Sequence, residues 1–403
     1  MKIGLLGLSF CTGNLGCEAL SYAFLEVLEK IAEEEKIKIE TTLIEVFPTK
    51  WWIKNGLNLS KTKEKYLPSV TYGNVQNHCL FYKKVKNKYY FEKGWEKLDC
   101  VFDFTYGDSF TDIYGMERFN STVAIKNEII KRNIPLILGS QTIGPFNEAA
   151  VEKKAREIIQ KAREVYVRDK MSMDYTQKIS GRKPVLTTDV AFALPYVRNT
   201  RKEDGKIRVG FNPSGLLWNG GYTQNNQFGL TVDYKEYCRQ VLQYLSNDSR
   251  FEIHLILHAY TRDLSVVDND LIAVNELKKE FENAVISPMF DNPMDAKSYI
   301  AEMNVFIGAR MHATIGALSS DTPVMPFSYS RKFEGLFTSL EYPHVIHGCS
   351  DSTEEAVAKT INGISNLSEL IDSVNRTKKI IDSKKKFLIE SYAETIRNCT
   401  YGE

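Results

Sequence analysis

Asn304–Thr314 reads NVFIGARMHAT. An apolar strand ends at Gly308, and a helical pattern begins near His312. Arg310 and His312 therefore stand where a strand gives way to a helix. In open α/β sheets that carboxyl edge is where ligands bind. A helix N-terminus offers unpaired N–H groups and the positive end of the helix dipole. Arginine adds a planar fork that matches carboxylate or phosphate oxygens. Histidine adds a proton that titrates near neutral pH. The pattern suits an anionic substrate that needs a proton, and at such an edge neither residue is expected to serve the core. The competing reading pairs Arg310 with a carboxylate and lets His312 cap its own helix. Spacing alone leaves both open.

The next apolar run, Pro323–Lys332 (PVMPFSYSRK), reads as a neighbouring strand that ends in hydroxyls and cations, among them Lys332. Further out, strands alternate with helical patterns along the chain. Strands are expected at Ile3–Leu8, Thr41–Phe47, Asp99–Thr105, Ile134–Gly139 and Glu164–Val167, then at Ile207–Phe211, Phe251–His258 and Asn304–Ile307. Helices are expected between them, including Val266–Glu282, and at the amphipathic tail Leu367–Arg397. Such alternation argues for parallel sheets flanked by helices. The charged, aperiodic stretch Tyr196–Lys206 (YVRNTRKEDGK) reads as a linker.

Composition narrows the function classes. The chain has 403 residues, enough for two domains, and a formal net charge of +1, so no global field points to nucleic acid. Seven cysteines are scattered without a CxxC pair. They read as free thiols in a reducing compartment, not as a disulfide frame or a zinc site. The opening MKIGLLGLSF suits a buried first strand better than a secretion signal. No run reaches the ~18 apolar residues of a membrane span, so a cytoplasmic protein is expected. The lysine- and aromatic-rich stretch from Trp51 to Lys97 breaks the pattern. Contact with anionic lipid at the inner membrane face is one reading of it; a solvated excursion with its own small cluster is the plainer one.

Other candidates lie at strand ends. Gly7–Glu18 (GLSFCTGNLGCE) is a strand-to-helix loop without GxGxxG spacing, so no dinucleotide is expected. Asn14 and Glu18 could hold a sugar hydroxyl there. In YGDSFTD, Asp108 could take a proton from a hydroxyl, and Asp112 reads as a cap. Arg168 in YVRD is a further anion contact, with Asp169 next to it as a helix cap. Asp189 precedes the linker. Ser214 in NPSG resembles part of a small-anion nest, with an ordinary turn as the default. His254 suits a satisfied core histidine, and His258, at its strand end, reaches toward the ligand edge.

Taken in order, these segments resemble the polysaccharide pyruvyl transferases, from near the start to about Leu340. The Asn14–Glu18 loop, SQTIGP, VRDKMS, Asp189 with its Ala-Phe, ARMHATIGA and PVMPFSYSRK all follow in that family's order, and Arg310–His312 is the most specific of them. Two departures stand out: Cys17 where the family often has an aspartate, and TYGDSF where a glycine triplet is common. The resemblance implies an α/β fold similar to type B glycosyltransferases, two Rossmann-like domains facing a cleft. Residues 1–195 would form the acceptor side and 207–375 the donor side. The helix 376–403 would pack back on the first domain.

It also implies transfer of pyruvate from phosphoenolpyruvate to a sugar of a surface polysaccharide or its lipid-linked precursor, as a ketal. Catalysis would fall to His312 and Asp108. Arg310, Lys332, Arg168 and Ser214 would bind the donor; Asn14, Glu18 and Asp189 would bind the acceptor. No cofactor or metal is expected in that scheme. A type B glycosyltransferase with a nucleotide-sugar donor is the alternative, kept open by Glu334 just after the cation cluster. A non-catalytic sugar-binding module is the third reading.

Overall fold

Each apolar run is followed by a helix long enough to return the chain to the starting edge, and the result is two parallel sheets. The computed structural model describes residues 1–10, 12–44, 82–85, 88–91, 97–198 and 204–401. The strands are β1 (Lys2–Leu6), β2 (Glu40–Ile44), β3 (Tyr82–Val85), β4 (Lys88–Phe91), β5 (Cys100–Asp103), β6 (Leu136–Gln141), β7 (Glu164–Val167) and β8 (Val185–Leu186), then β9 (Ile207–Asn212), β10 (Phe251–Leu255), β11 (Val285–Ile286), β12 (Val305–Gly308), β13 (Val324–Ser328) and β14 (Ile346–His347). The first sheet has the order β2-β1-β5-β6-β7-β8 and the second β11-β10-β9-β12-β13-β14. Every ladder in both is parallel. The α/β, Rossmann-like reading of the sequence is borne out.

Two compact units carry these sheets: Met1–Phe10 with Leu20–Ala193 and Ser383–Glu403, and Cys11–Ala19 with Leu194–Asp382. In the first unit β5 and β6 are buried at every position, as strands covered on both faces must be. Helices Leu15–Glu34, Met116–Lys131, Ala149–Lys161 and Lys170–Ser180 belong to the same alternation. Asp169 caps the last of these, accepting from the Ser172 amide at 2.7 Å. The fully buried Tyr392, on the long helix Leu367–Tyr401, packs its ring 5.3 Å from Phe102 and 4.8 Å from Tyr166. Its hydroxyl accepts from the Ser140 amide at 2.8 Å.

Three departures from the sequence reading have local causes. The strands β8, β11 and β14 have two residues each, too short to show a period. In the lysine-aromatic stretch β3 and β4 pair antiparallel; residues 51–81, 86–87 and 92–96, Trp51 and Trp52 included, lie outside the described residues. The helix expected from Val266 begins only at Asp270, with Asn269 as its cap.

Candidate functional site

In the second sheet, numbered within its own unit, the strands run 3-2-1-4-5-6, so the order reverses between β9 and β12. Ligands of such sheets bind at that reversal, beyond the carboxyl ends. Here β9 ends in Asn212 and β12 leads into Arg310. The chain around them is drawn together by one carboxylate. Fully buried Asp270 accepts from Gly215 N at 2.9 Å, His258 N at 3.1 Å and Ala259 N at 2.9 Å. It also takes Arg310 Nε at 3.0 Å and Nη2 at 2.5 Å. Asn212 completes the knot, its Oδ1 accepting from Arg310 N at 3.2 Å and its Nδ2 donating to Ile256 O at 2.8 Å.

Arg310 is thus 8% exposed and committed on two of its nitrogens. Its Nη2 also pairs with Asp268 at 2.5 Å. Burial alone would lower the Arg310 pKa, but the charges of Asp268 and Asp270 more than offset it and hold the group well above its usual value. The expectation that Arg310 lies outside the core is corrected: its fork closes on protein carboxylates, which makes it the strut of the carboxyl edge. Asp268 carries the complementary shift. Burial pushes its carboxyl up, yet Arg310, the Tyr222 hydroxyl at 3.1 Å and Lys332 hold it below the usual range.

His312 stands two residues on, in the first turn of the helix Met311–Ser319, and is half-buried. Beside it, His258 is buried, and burial together with the charges of His312 and Arg310 pushes its pKa down to about 3. The Asn14–Glu18 loop lies over His312: a Cβ on Gly16 would come within 2.9 Å of His312 Nδ1. Asn14 Oδ1 accepts from Gly16 N and Cys17 N at 3.1 and 3.2 Å, which starts the helix Leu15–Glu34. Glu18 Oε1 accepts from Thr12 N at 2.6 Å and Gly13 N at 3.0 Å. Leu15 N donates to His258 O at 3.0 Å, and Tyr260 N to Gly13 O at 2.9 Å. Asn14 and Glu18, assigned from sequence to the acceptor side, therefore group with Arg310 and His312 in the second unit.

Lys332 repeats the position of His312 one strand on. It is the second residue of the helix Arg331–Ser339, which follows β13 as the helix of His312 follows β12. Neither helix has a side-chain cap, and Ser330 Oγ is buried without a hydrogen-bond partner. Elsewhere in this unit Asp233, Asn269, Asn292 and Ser352 each cap the helix they precede. Two adjacent helix ends thus share the lack of a side-chain cap, and a helix N-terminus is a usual place for an anion. Ser214 is not of this kind. Its amide donates to Tyr234 at 2.9 Å, the Gly215 amide is held by Asp270, and its hydroxyl caps Leu217 at 3.4 Å. The default reading, an ordinary turn, is what stands there, internally satisfied.

Arg168 and Asp189, placed by sequence on opposite substrate sides, find each other in the first unit. Arg168 Nη1 lies 2.7 Å from Asp189 Oδ2, both fully buried. Arg168 Nε donates to Thr142 at 3.0 Å, and Asp189 Oδ1 accepts from Ala191 N at 2.9 Å. Asp108 follows β5 and accepts the Tyr114 hydroxyl at 2.8 Å. Asp112 ties a loop and caps nothing, accepting both Asn147 nitrogens at 2.8 and 2.9 Å. A second buried pair, Lys126 with Asp103 at 3.0 Å, escaped the sequence reading; burial lowers the lysine pKa. His254 is satisfied as expected, by Tyr299 at 2.6 Å and Glu252 at 2.7 Å. Among the described residues no three His, Cys, Asp or Glu side chains converge as a metal site, and no helix is long and apolar enough to cross a membrane.

A family model described as polysaccharide pyruvyl transferase matches residues 14–331, from the loop over His312 to the start of the Lys332 helix. The amylovoran biosynthesis protein AmsJ of Erwinia amylovora is 20% identical, with 93% of this chain and 95% of that protein covered. Among solved structures, a putative UDP-N-acetylglucosamine 2-epimerase from Listeria monocytogenes superposes with a TM-score of 0.58 at 10% identity, covering 100% of this chain and 96% of that one. A glycosyltransferase from Rickettsia africae gives 0.56 at 12% identity, covering 100% and 99%. At these identities the likeness is one of fold, the type B glycosyltransferase architecture.

Proposed function

The chain belongs to the polysaccharide pyruvyl transferase family, and from that premise we propose that it moves pyruvate from phosphoenolpyruvate to a sugar, leaving a cyclic ketal. The observation that carries this reading is the pair of uncapped helix ends after β12 and β13, with His312 and Lys332 at equivalent positions. Phosphoenolpyruvate is small and densely anionic, and the positive ends of two helix dipoles with a lysine suit its carboxylate and phosphate. Arg310 then acts through others: it holds the ends of β9 and β12 at a fixed separation and keeps Asp268 ionised.

In the proposed reaction a proton passes from His312 to the methylene carbon, and the neighbouring carbon becomes electrophilic. A sugar hydroxyl attacks that carbon and gives its proton to a base, for which Asp108 is our candidate. The C–O bond to phosphate breaks with its electrons on the phosphate, and a second hydroxyl of the sugar closes the ketal as its proton returns to His312. Burial and the charges of His312 and Arg310 push the His258 pKa down to about 3, which favours His312 over it as the acid. The sugar would belong to a surface polysaccharide or its lipid-linked precursor, consistent with a relative in amylovoran biosynthesis.

Thermal melts test the donor. Phosphoenolpyruvate at saturation should raise the midpoint, since a ligand of the folded state alone stabilises it. Stabilisation by nucleotide sugars in its place would transfer the reading to a glycosyltransferase. Glu334, the residue that kept that alternative open, pairs with His347 at 2.7 Å.

A further inference from the structure

Three features outside the donor region are candidates for chemistry: a cavity of about 400 Å³ beside Trp218 and Lys235, the neighbouring thiols of Cys100 and Cys399, and an arginine with two tyrosines near Asp108. The third carries an inference. Arg118 is the third residue of the helix Met116–Lys131. Its guanidinium carbon lies 5.0 Å from the ring centre of Tyr106 and 5.5 Å from that of Tyr114. Its Nε is buried and has no hydrogen-bond partner. Arg118 is half-buried, and among the described residues no carboxylate pairs with it, whereas the buried cations Arg168 and Lys126 of this unit each hold one.

The surroundings are built. Tyr106 follows Thr105, and both hold φ in the left-handed region, at 56° and 43°. Such strain in consecutive non-glycine residues persists only where neighbours over-determine it. Here the Asp103 carboxylate accepts from Thr105 N at 3.0 Å and the Tyr106 amide donates to Gly7 O at 2.7 Å. The helix itself follows Gly115, whose φ is 96° and which gives it no side-chain cap, so Arg118 stands in a first turn at the positive end of the helix dipole. Tyr114 joins the group to Asp108, with its ring against Arg118 and its hydroxyl on the carboxylate. Ile113 and Tyr114 are exposed beside it.

We propose that Arg118 anchors an oxyanion of the sugar substrate, a carboxylate or a phosphate carried by the acceptor. Stacking on aromatic faces leaves the in-plane N–H groups of a guanidinium available, and these match two oxygens of one anion. Tyrosine rings receive the apolar face of a sugar. Asp108 and Glu117 place negative charge close by, so the sugar body and the anion must bind together. The inference rests on the assignment of the acceptor to the first unit.

Binding without donor tests it. Galactose, glucuronic acid and galactose 1-phosphate are titrated into the intact protein and followed by NMR. At least one acidic sugar should bind roughly tenfold more tightly than galactose, the worth of one charge-assisted contact, and which one does so separates carboxylate from phosphate. Arg118→Gln should remove the preference and leave galactose binding in place. Arg118→Lys keeps the charge without the stacked fork and should lose part of it, which serves if the glutamine variant fails to fold. Equal affinity for all three sugars overturns the proposal, as does an undiminished preference in either folded variant. No phosphoenolpyruvate is present, so this outcome and the donor test are independent.

Discussion

Arg310 places Nε and Nη2 on a single oxygen of Asp270, at 3.0 and 2.5 Å, while the same carboxylate accepts three backbone amides. Breaking such a pair from one side leaves the other charge buried. Asp270→Asn should therefore destabilise the protein by about 3–5 kcal/mol. Arg310→Lys, which keeps charge but loses the fork, should lower stability by about 1–3 kcal/mol. Urea unfolding of the two variants reads both values. A lysine variant as stable as the parent would return Arg310 to a purely ligand-facing role.

His312→Gln should fold normally and melt within a degree or two of the parent. Its turnover should fall by about 10²–10⁴-fold, the usual worth of general acid catalysis. Phosphate release from phosphoenolpyruvate is the readout.

Lys332→Ala should weaken donor binding and leave the fold intact, since the side chain is only half-buried. Phosphoenolpyruvate should then protect the variant against thermal unfolding only at concentrations about tenfold higher. Lys332→Arg should recover part of that protection.

Gly16→Ala asks whether the first loop positions the acid. Alanine is the better helix former, but its Cβ would meet His312 Nδ1 at 2.9 Å. We expect a folded protein whose turnover is lower by about 10–100-fold, the penalty of a small misplacement of a reacting group. Unchanged turnover would separate the loop from catalysis.

His258 makes the second unit acid-sensitive. Its folded pKa, near 3, is depressed below the ordinary 6.5, so the unfolded chain binds the extra proton first. The stability that neutral His258 lends is complete above about pH 6.5 and is lost as pH falls toward 3. Between pH 6.5 and pH 5 the loss should be about 2 kcal/mol. His258→Asn should remove about one proton from the acid limb of the stability profile, measured by urea midpoints at the two pH values.

The fold was legible because its evidence is periodic. β7 is Glu164–Val167 as read, and β9 and β12 fall within a residue of the apolar runs. The site was legible only where chemistry sits at a strand end. Arg310 and His312 stood out, but the partners of Arg310 did not. Asp268 and Asp270 were absorbed into a helix thought to start at Val266, although Asp-Asn-Asp is itself a helix-start signal. The Arg168–Asp189 pair bridges 21 positions, and nothing in a single sequence says which buried carboxylate meets which cation. The same limit hid Lys126 from Asp103. The loop of Asn14 and Glu18 belongs to the second unit, which a reading by chain order credits to the unit whose strand precedes it.

Tyr392 has a further consequence for how the protein is made. The first unit does not close its centre until Tyr392 arrives, roughly two hundred residues after Ala193, because Phe102, Tyr166 and the Ser140 amide all wait for that one ring and hydroxyl. Domains ordinarily fold as they leave the ribosome, N-terminal first. Here the N-terminal sheet emerges early yet stays incomplete while about two hundred further residues are synthesised, so at elongation rates of about 5–20 residues per second it stands open for at least ten seconds. Nascent chains stalled just before residue 392 should be captured by holding chaperones and cut by protease in their first half, and released chains should not.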